Sequence, residues 1–185
     1  MNNLIKHINL LLIIVSCCVL STCTQKSAHY SIFEVTEPIP QQALCFSKQQ
    51  LNKPYILGGQ GPDSFDCSGI IICAYEDALQ TPLLLMNKRN EIRDDVNMDE
   101  LYLYNVRFIG KDELLPGDIV FITIDSTRIS HGGLFIGWKD DKTIEFINAS
   151  SYYKKVCIDE WPIEGTKRGQ WFVGFGRLNL RIKDK

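Results

Sequence analysis

The sequence predicts one α+β domain in which helices come first and a meander of antiparallel strands follows. Three observations carry this expectation: an apolar run behind a helix-capping Asp over 66–79, a series of β-branched and aromatic segments from residue 106 onward, and Gly, Pro and Asn between them. With 185 residues, 45% of them hydrophobic, the chain can bury one sizeable core and is too short for two. The formal net charge is −2 and no Lys/Arg cluster stands out, so no nucleic-acid partner is expected. Charged runs near 88–95, 139–142 and 164–168 read as solvated loops.

The elements follow in order. Pro40 suits the first turn of a helix running to about residue 51, with Ala43, Leu44 and Leu51 on one face and Asn52 as a left-handed terminator. Residues 54–64 form a loop rich in Gly and Pro. Asp66 then caps a helix over 67–79, with Pro82 just beyond its end. Residues 83–104 show no clear period. Strands are expected at 106–109, 119–124, 134–138, 143–149, 156–158 and 171–178, with a hairpin connection at 139–142.

Residues 1–22 read as a secretory signal. Lys6 and His7 precede an apolar run that falls short of the ~20 residues needed to span a bilayer. Cys17, Cys18 and Cys23 follow its core and resemble a bacterial lipoprotein processing site. Cys17 has the more usual residues before it. Cys23 is followed by polar residues that suit a tether, and is preferred. Residues 23–39 are then expected to be the tether, and 40–180 the folded domain. Lys6 is the only Lys or Arg within 1–22, and no Asp or Glu lies there, so the remainder is mildly acidic. The expected protein is exported and membrane-associated through an N-terminal lipid.

Cys45, Cys67, Cys73 and Cys157 show no metal-ligand spacing, so neither a zinc site nor any other cofactor is expected. A Cys45–Cys157 bridge is left open. Cys73 lies within the apolar helix and fits a packing role. Cys67 differs, because Asp66 as N-cap puts it in the first turn, where free backbone N–H groups and the helix dipole favour a thiolate. Of His29 and His131, the latter lies in a strand-like run. Asn148, on the next strand and sharing a face with Phe146, is the candidate to orient the ring. The Cys67 N–H is a ready donor to an oxyanion.

Four segments in order now carry a resemblance: Tyr55-Ile56-Leu57-Gly58-Gly59, Phe65-Asp66-Cys67-Ser68-Gly69, Leu114-Leu115-Pro116-Gly117-Asp118-Ile119-Val120-Phe121 and Ser130-His131-Gly132-Gly133-Leu134-Phe135-Ile136-Gly137. They resemble the motifs of the NlpC family of papain-like bacterial cell-wall peptidases. The resemblance implies a papain-like fold and hydrolysis of peptidoglycan stem peptides, commonly between γ-D-glutamate and a diamino acid. It makes Cys67 the nucleophile, His131 the base and Asn148 the third polar residue. Asp66 and Ser68 become the residues that help hold the free amine of the stem, and Tyr55, whose counterpart lies near the nucleophile, joins them as a substrate-binding residue. Leu57 stands where relatives often have Trp, Gly132 where Val is common and Asn148 where His is frequent. Residues 83–104 lack the expected Arg/Ser/Gln pattern. That divergence motivates an alternative, a papain-like amidase or acyltransferase acting on a non-murein amide or ester. A third reading, an inactive binding module, sits poorly with the presence of Cys67, His131 and Asn148.

Overall fold

The computed structural model describes residues 28–184; the signal reading and Cys17, Cys18 and Cys23 lie outside them. The described residues form strand β1 (Tyr30–Glu34), helices α1 (Ile39–Gln49) and α2 (Cys67–Leu79), a short ribbon β2 (Leu85–Met86) and β3 (Ile92–Arg93), and helix α3 (Met98–Tyr104). Strands β4 (Val106–Ile109), β5 (Ile119–Thr123), β6 (Ile129–Asp140), β7 (Thr143–Ser150), β8 (Lys155–Pro162), β9 (Thr166–Lys167) and β10 (Gln170–Lys183) follow. The main sheet runs β1-β10-β5-β6-β7-β8, antiparallel throughout, with β4 and β9 also paired to β10. This is the α+β arrangement expected from the sequence.

Period-two alternation decides which side chains face the helices. Ile119, Phe121, Leu134, Ile147 and Val156 join Ile70, Ile71, Ala74 and Tyr75 of α2 in one core. Val120, Ile122, Phe135, Ile144, Phe146, Trp161 and Phe175 build a second core on the opposite face. Tyr75 is fully buried, and its hydroxyl donates to Gly117 O at 2.9 Å, which ties α2 to the turn ahead of β5.

Several boundaries differ from expectation. Residues 30–34, assigned to the tether, form β1 and pair with the end of β10. The helix expected over 40–51 stops at Gln49, which leaves Leu51 exposed; Asn52 does take a left-handed φ of 69°. The unassigned segment 83–104 holds the β2–β3 ribbon and α3. That helix starts with a capping box in which the Asn97 side chain accepts from Glu100 N while Glu100 reaches back to Asn97 N. Strands β6, β8 and β10 extend beyond the apolar stretches that predicted them, because pairing with neighbours continues through polar residues.

One buried ion pair joins four parts of the sheet. Arg177 on β10 donates from Nε and Nη2 to Asp118 Oδ1 and Oδ2 at 2.9 and 2.8 Å, and from Nη2 to Glu113 O at 2.6 Å. Its Nη1 reaches Glu34 of β1 at 3.3 Å, and Glu34 in turn takes Arg107 of β4. Asp118 is 0% exposed, so removing its carboxylate strands a guanidinium that is nearly as buried. Asp118→Ala should therefore cost about 3 kcal/mol in urea unfolding. A loss below about 1 kcal/mol would mean that Glu34 alone can neutralise Arg177.

Candidate active site

The site begins with the carboxylate of Asp66. The residue has an extended backbone and caps α2: Oδ1 accepts from Gly69 N at 2.7 Å and from Ser68 Oγ at 3.1 Å. Oδ2 accepts from Gly58 N at 2.8 Å, which fastens the loop after Tyr55 to the start of the helix. A backbone bond from Asp66 N to Gly59 O, 2.9 Å, closes the same junction. The approach is so close that a Cβ at position 69 would fall 2.1 Å from Gly59 O, so only glycine fits there. Cys67 is thereby fixed in the first turn, half-buried, as the capping pattern predicted.

The protonation state differs from that expectation. Burial pushes the Cys67 thiol up to about 12, and the adjacent Asp66 charge adds to the rise; the backbone N–H groups of Ser68 and Cys67 pull downward and do not prevail. Tyr55 is also raised, by burial first and then by Cys67 and Asp66. Asp95 is raised by burial, and the Asp66 and Asp94 charges push the same way. No cation pairs with Asp66 among the described residues, so this end of the site carries uncompensated negative charge.

His131 and Asn148 are brought together. His131 Nε2 lies 3.1 Å from Asn148 Oδ1, and Asn148 Nδ2 donates to Cys157 O at 3.3 Å. That second bond fixes the amide so that its oxygen faces the ring, and Nε2 must then carry the proton. Nδ1 is left as the basic nitrogen. Asn148 is 0% exposed, and Phe146, on the same face, meets the ring edge-on at 6.4 Å between centroids. Burial holds the ring below its ordinary value of 6.5, while the Asn148 bond acts in the opposite direction. Both directions favour the neutral forms, thiol and imidazole.

Tyr55, Asp66, Cys67 and Ser68 line a cleft of about 550 Å³, together with exposed Leu57, the start of α3 at Asn97–Glu100, and Ile129 and Ser130 just ahead of His131. Helix α2 packs on β6 and β7, which bear His131 and Asn148. The cleft lining includes neither His131 nor Asn148, and no hydrogen bond joins Cys67 Sγ to the ring among those described; His131 directly follows the lining residue Ser130. The irregularity in β5–β6 pairing falls at Ser130, whose Oγ is buried without a partner. Reading the sequence missed Ser130 and all of α3, although Asn97 three residues before Glu100 was a legible helix start. Helix α3 also explains Gly132, since a Cβ there would lie 2.4 Å from Met98 Cε and 2.3 Å from Val120 O. Met98 occupies the space a larger strand residue would need. Cys45, Cys67, Cys73 and Cys157 are all unpaired, so the Cys45–Cys157 bridge is not formed. Cys73 donates to Gln60 O at 3.2 Å and is half-buried.

The profile of the NlpC/P60 family matches residues 52–174. The chain is 32% identical to the "Probable endopeptidase p60" of Listeria grayi over 71% of its own length and 21% of that protein's. It is 35% identical to the "Murein DD-endopeptidase MepH" of Escherichia coli (strain K12) over 48% of its length and 30% of the relative's. The chain thus covers well under half of either relative. NlpC1 from Trichomonas vaginalis shares the fold, with a TM-score of 0.55 and 24% identity over 80% of this chain and 46% of that one.

Two outcomes follow from the geometry. In an NMR titration of His131, the folded ring should titrate below 6.5 with its neutral form protonated at Nε2, and Asn148→Ala should lower the midpoint further; a midpoint at or above 6.5 contradicts the burial argument. Asp66→Asn keeps a capping side chain and removes the charge, so the pH profile of Cys67 alkylation by iodoacetamide should move to lower pH. An unmoved profile would show that burial alone sets the thiol.

Proposed function

The chain belongs to the NlpC/P60 family, and from that premise we propose that it is a cysteine endopeptidase that hydrolyses peptidoglycan stem peptides, at the bond between γ-D-glutamate and a diamino acid. The observation that carries the reading is a cysteine at a capped helix start, lining a cleft, beside strands whose histidine is held at Nε2 by a buried Asn. The relatives' printed names, endopeptidase and murein DD-endopeptidase, support the reaction and the substrate class.

The protonation states select general-base catalysis over a preformed ion pair. Cys67 Sγ attacks the scissile carbonyl carbon while its proton passes to His131 Nδ1. The carbonyl oxygen, now negative, takes a hydrogen bond from the Cys67 N–H. Asn148 Oδ1 holds the imidazolium at Nε2–H and leaves Nδ1 free to exchange the proton. The imidazolium then returns the proton to the leaving amine, and the C–N bond breaks to leave a thioester. Water, deprotonated by His131, attacks the thioester and frees the thiol.

In the same proposal the free amine of the stem sits at Asp66, Tyr55 and Ser68. Asp66 spends three hydrogen-bond positions on Gly58, Ser68 and Gly69, and a carboxylate has about four, so one remains for an ammonium. Asp95, raised by burial first and then by the Asp66 and Asp94 charges, adds a further carboxyl group near that position. The proposal also places the protein outside the cytoplasm, held to a membrane by lipid on Cys23.

Digestion of purified muropeptides, with products resolved by mass, tests the reading. Wild type should release the fragment expected from γ-D-glutamyl cleavage, and Cys67→Ala should lower the rate by at least about 10³-fold. Fragments from a DD cross-link would relocate the bond. Inertness toward muropeptides alongside Cys67-dependent turnover of simple amides or esters would favour the amidase or acyltransferase alternative. With both partners neutral at rest, kcat should rise with pH through a midpoint below 6.5 and then stay level to about pH 9, since no step needs the thiol to ionise beforehand, while kcat/KM also carries the loss of the stem ammonium at about pH 8. A falling limb of kcat near pH 8 would contradict the neutral pair.

A further inference from the structure

The catalytic cleft does not end at Cys67. A second cavity, about 420 Å³, adjoins it, and Asp99, Leu103, Arg128 and Ile129 line both. Its wall carries exposed apolar side chains: Leu103 at 53%, Trp171 at 41% and Val173 at 38%. Arg128 stands on the shared wall, exposed, and its guanidinium makes no hydrogen bond or ion pair among those described. Asp125 lies close enough to feel its charge, but that carboxylate is already held by the N–H and hydroxyl of Thr127. Asp99, on the same wall, accepts from Ile129 N at 2.8 Å. Lys88 adds a second cation to the first cavity.

The combined groove is therefore polarised. One end presents the uncompensated Asp66 carboxylate, and the junction with the second cavity presents a free guanidinium followed by an apolar strip. We infer that the second cavity is a subsite for an acidic peptide segment, with a substrate carboxylate held by Arg128 and the adjoining apolar atoms lying on Trp171, Leu103 and Val173. A planar guanidinium takes a carboxylate through two parallel hydrogen bonds, so the charge also fixes orientation. This rests on the peptidase reading and deepens it, since it makes Arg128 a determinant of which stem peptides are accepted.

Calorimetric titration of the full chain carrying Cys67→Ala, which binds without cleaving, separates this inference from the peptidase reading. The probes are the tripeptide L-Ala-γ-D-Glu-diaminopimelate and its counterpart with the carboxylates amidated. The acid should bind at least about tenfold more tightly than the amide, and Arg128→Gln should abolish that preference. Trp171→Ala should weaken both ligands about fivefold, with Leu103→Ala as an exposed second variant that does not depend on the sheet. Unchanged preference in Arg128→Gln, or affinities that survive both apolar substitutions, overturns the subsite whatever the digestion shows. Failure of muropeptide cleavage by wild type, with Arg128-dependent binding intact, would count against the peptidase reading alone.

Discussion

The geometry of the site depends on one carboxylate. Asp66 caps α2, orders the Ser68 hydroxyl and binds the backbone of the loop that carries Tyr55 and Leu57. The contact works only because Gly69 lets the helix approach Gly59 O, and the two glycines and the Asp act as one joint. Side-chain capping of this sort contributes about 1 kcal/mol in ordinary helices. Here it also decides where the sulfur stands, and the same charge raises the energy of the thiolate beside it. Positioning and reactivity are thus set in opposite directions by a single group.

That opposition gives the imidazole its importance. In the proposed reaction, with the thiol protonated at rest, the base has to be unprotonated, basic at the nitrogen that exchanges the proton and oriented before the reaction begins. Asn148 meets the last two needs through its two hydrogen bonds, and burial meets the first by disfavouring the imidazolium. A carboxylate in place of Asn148 would stabilise the imidazolium more strongly and shift the balance toward a resting ion pair. The neutral amide keeps the pair uncharged.

Much of this was legible in the sequence. Asp66, the apolar run behind it and Pro82 marked the start of α2 and its approximate end, and alternation placed Phe146 and Asn148 on one face. What escaped had physical causes. Strand β1 contains Ser31 and Glu34 and leaves Ile32 and Phe33 exposed, so no clean apolar alternation marks it; it is held by pairing with β10 and by the Glu34–Arg177 contact, which are long-range. Helix α3 is short: its capping box is written in Asn97 and Glu100, but seven residues after a charged stretch carry too little apolar periodicity to support it. The local signals at Cys67, helix dipole and N–H groups, favour a thiolate and are readable in sequence, whereas the desolvation that opposes them depends on the whole fold.

The raised thiol has a consequence for durability. Oxidants attack thiolate far faster than thiol, and with a value of about 12 the thiolate fraction of Cys67 at pH 7 is on the order of 10⁻⁵. A thiol held in this form is slow toward peroxide and disulfide exchange, and in the proposed mechanism it reacts when a carbonyl sits against the sulfur and the base takes the proton. Among the four unpaired cysteines of the described residues, the burial of Cys67 is what supplies this protection.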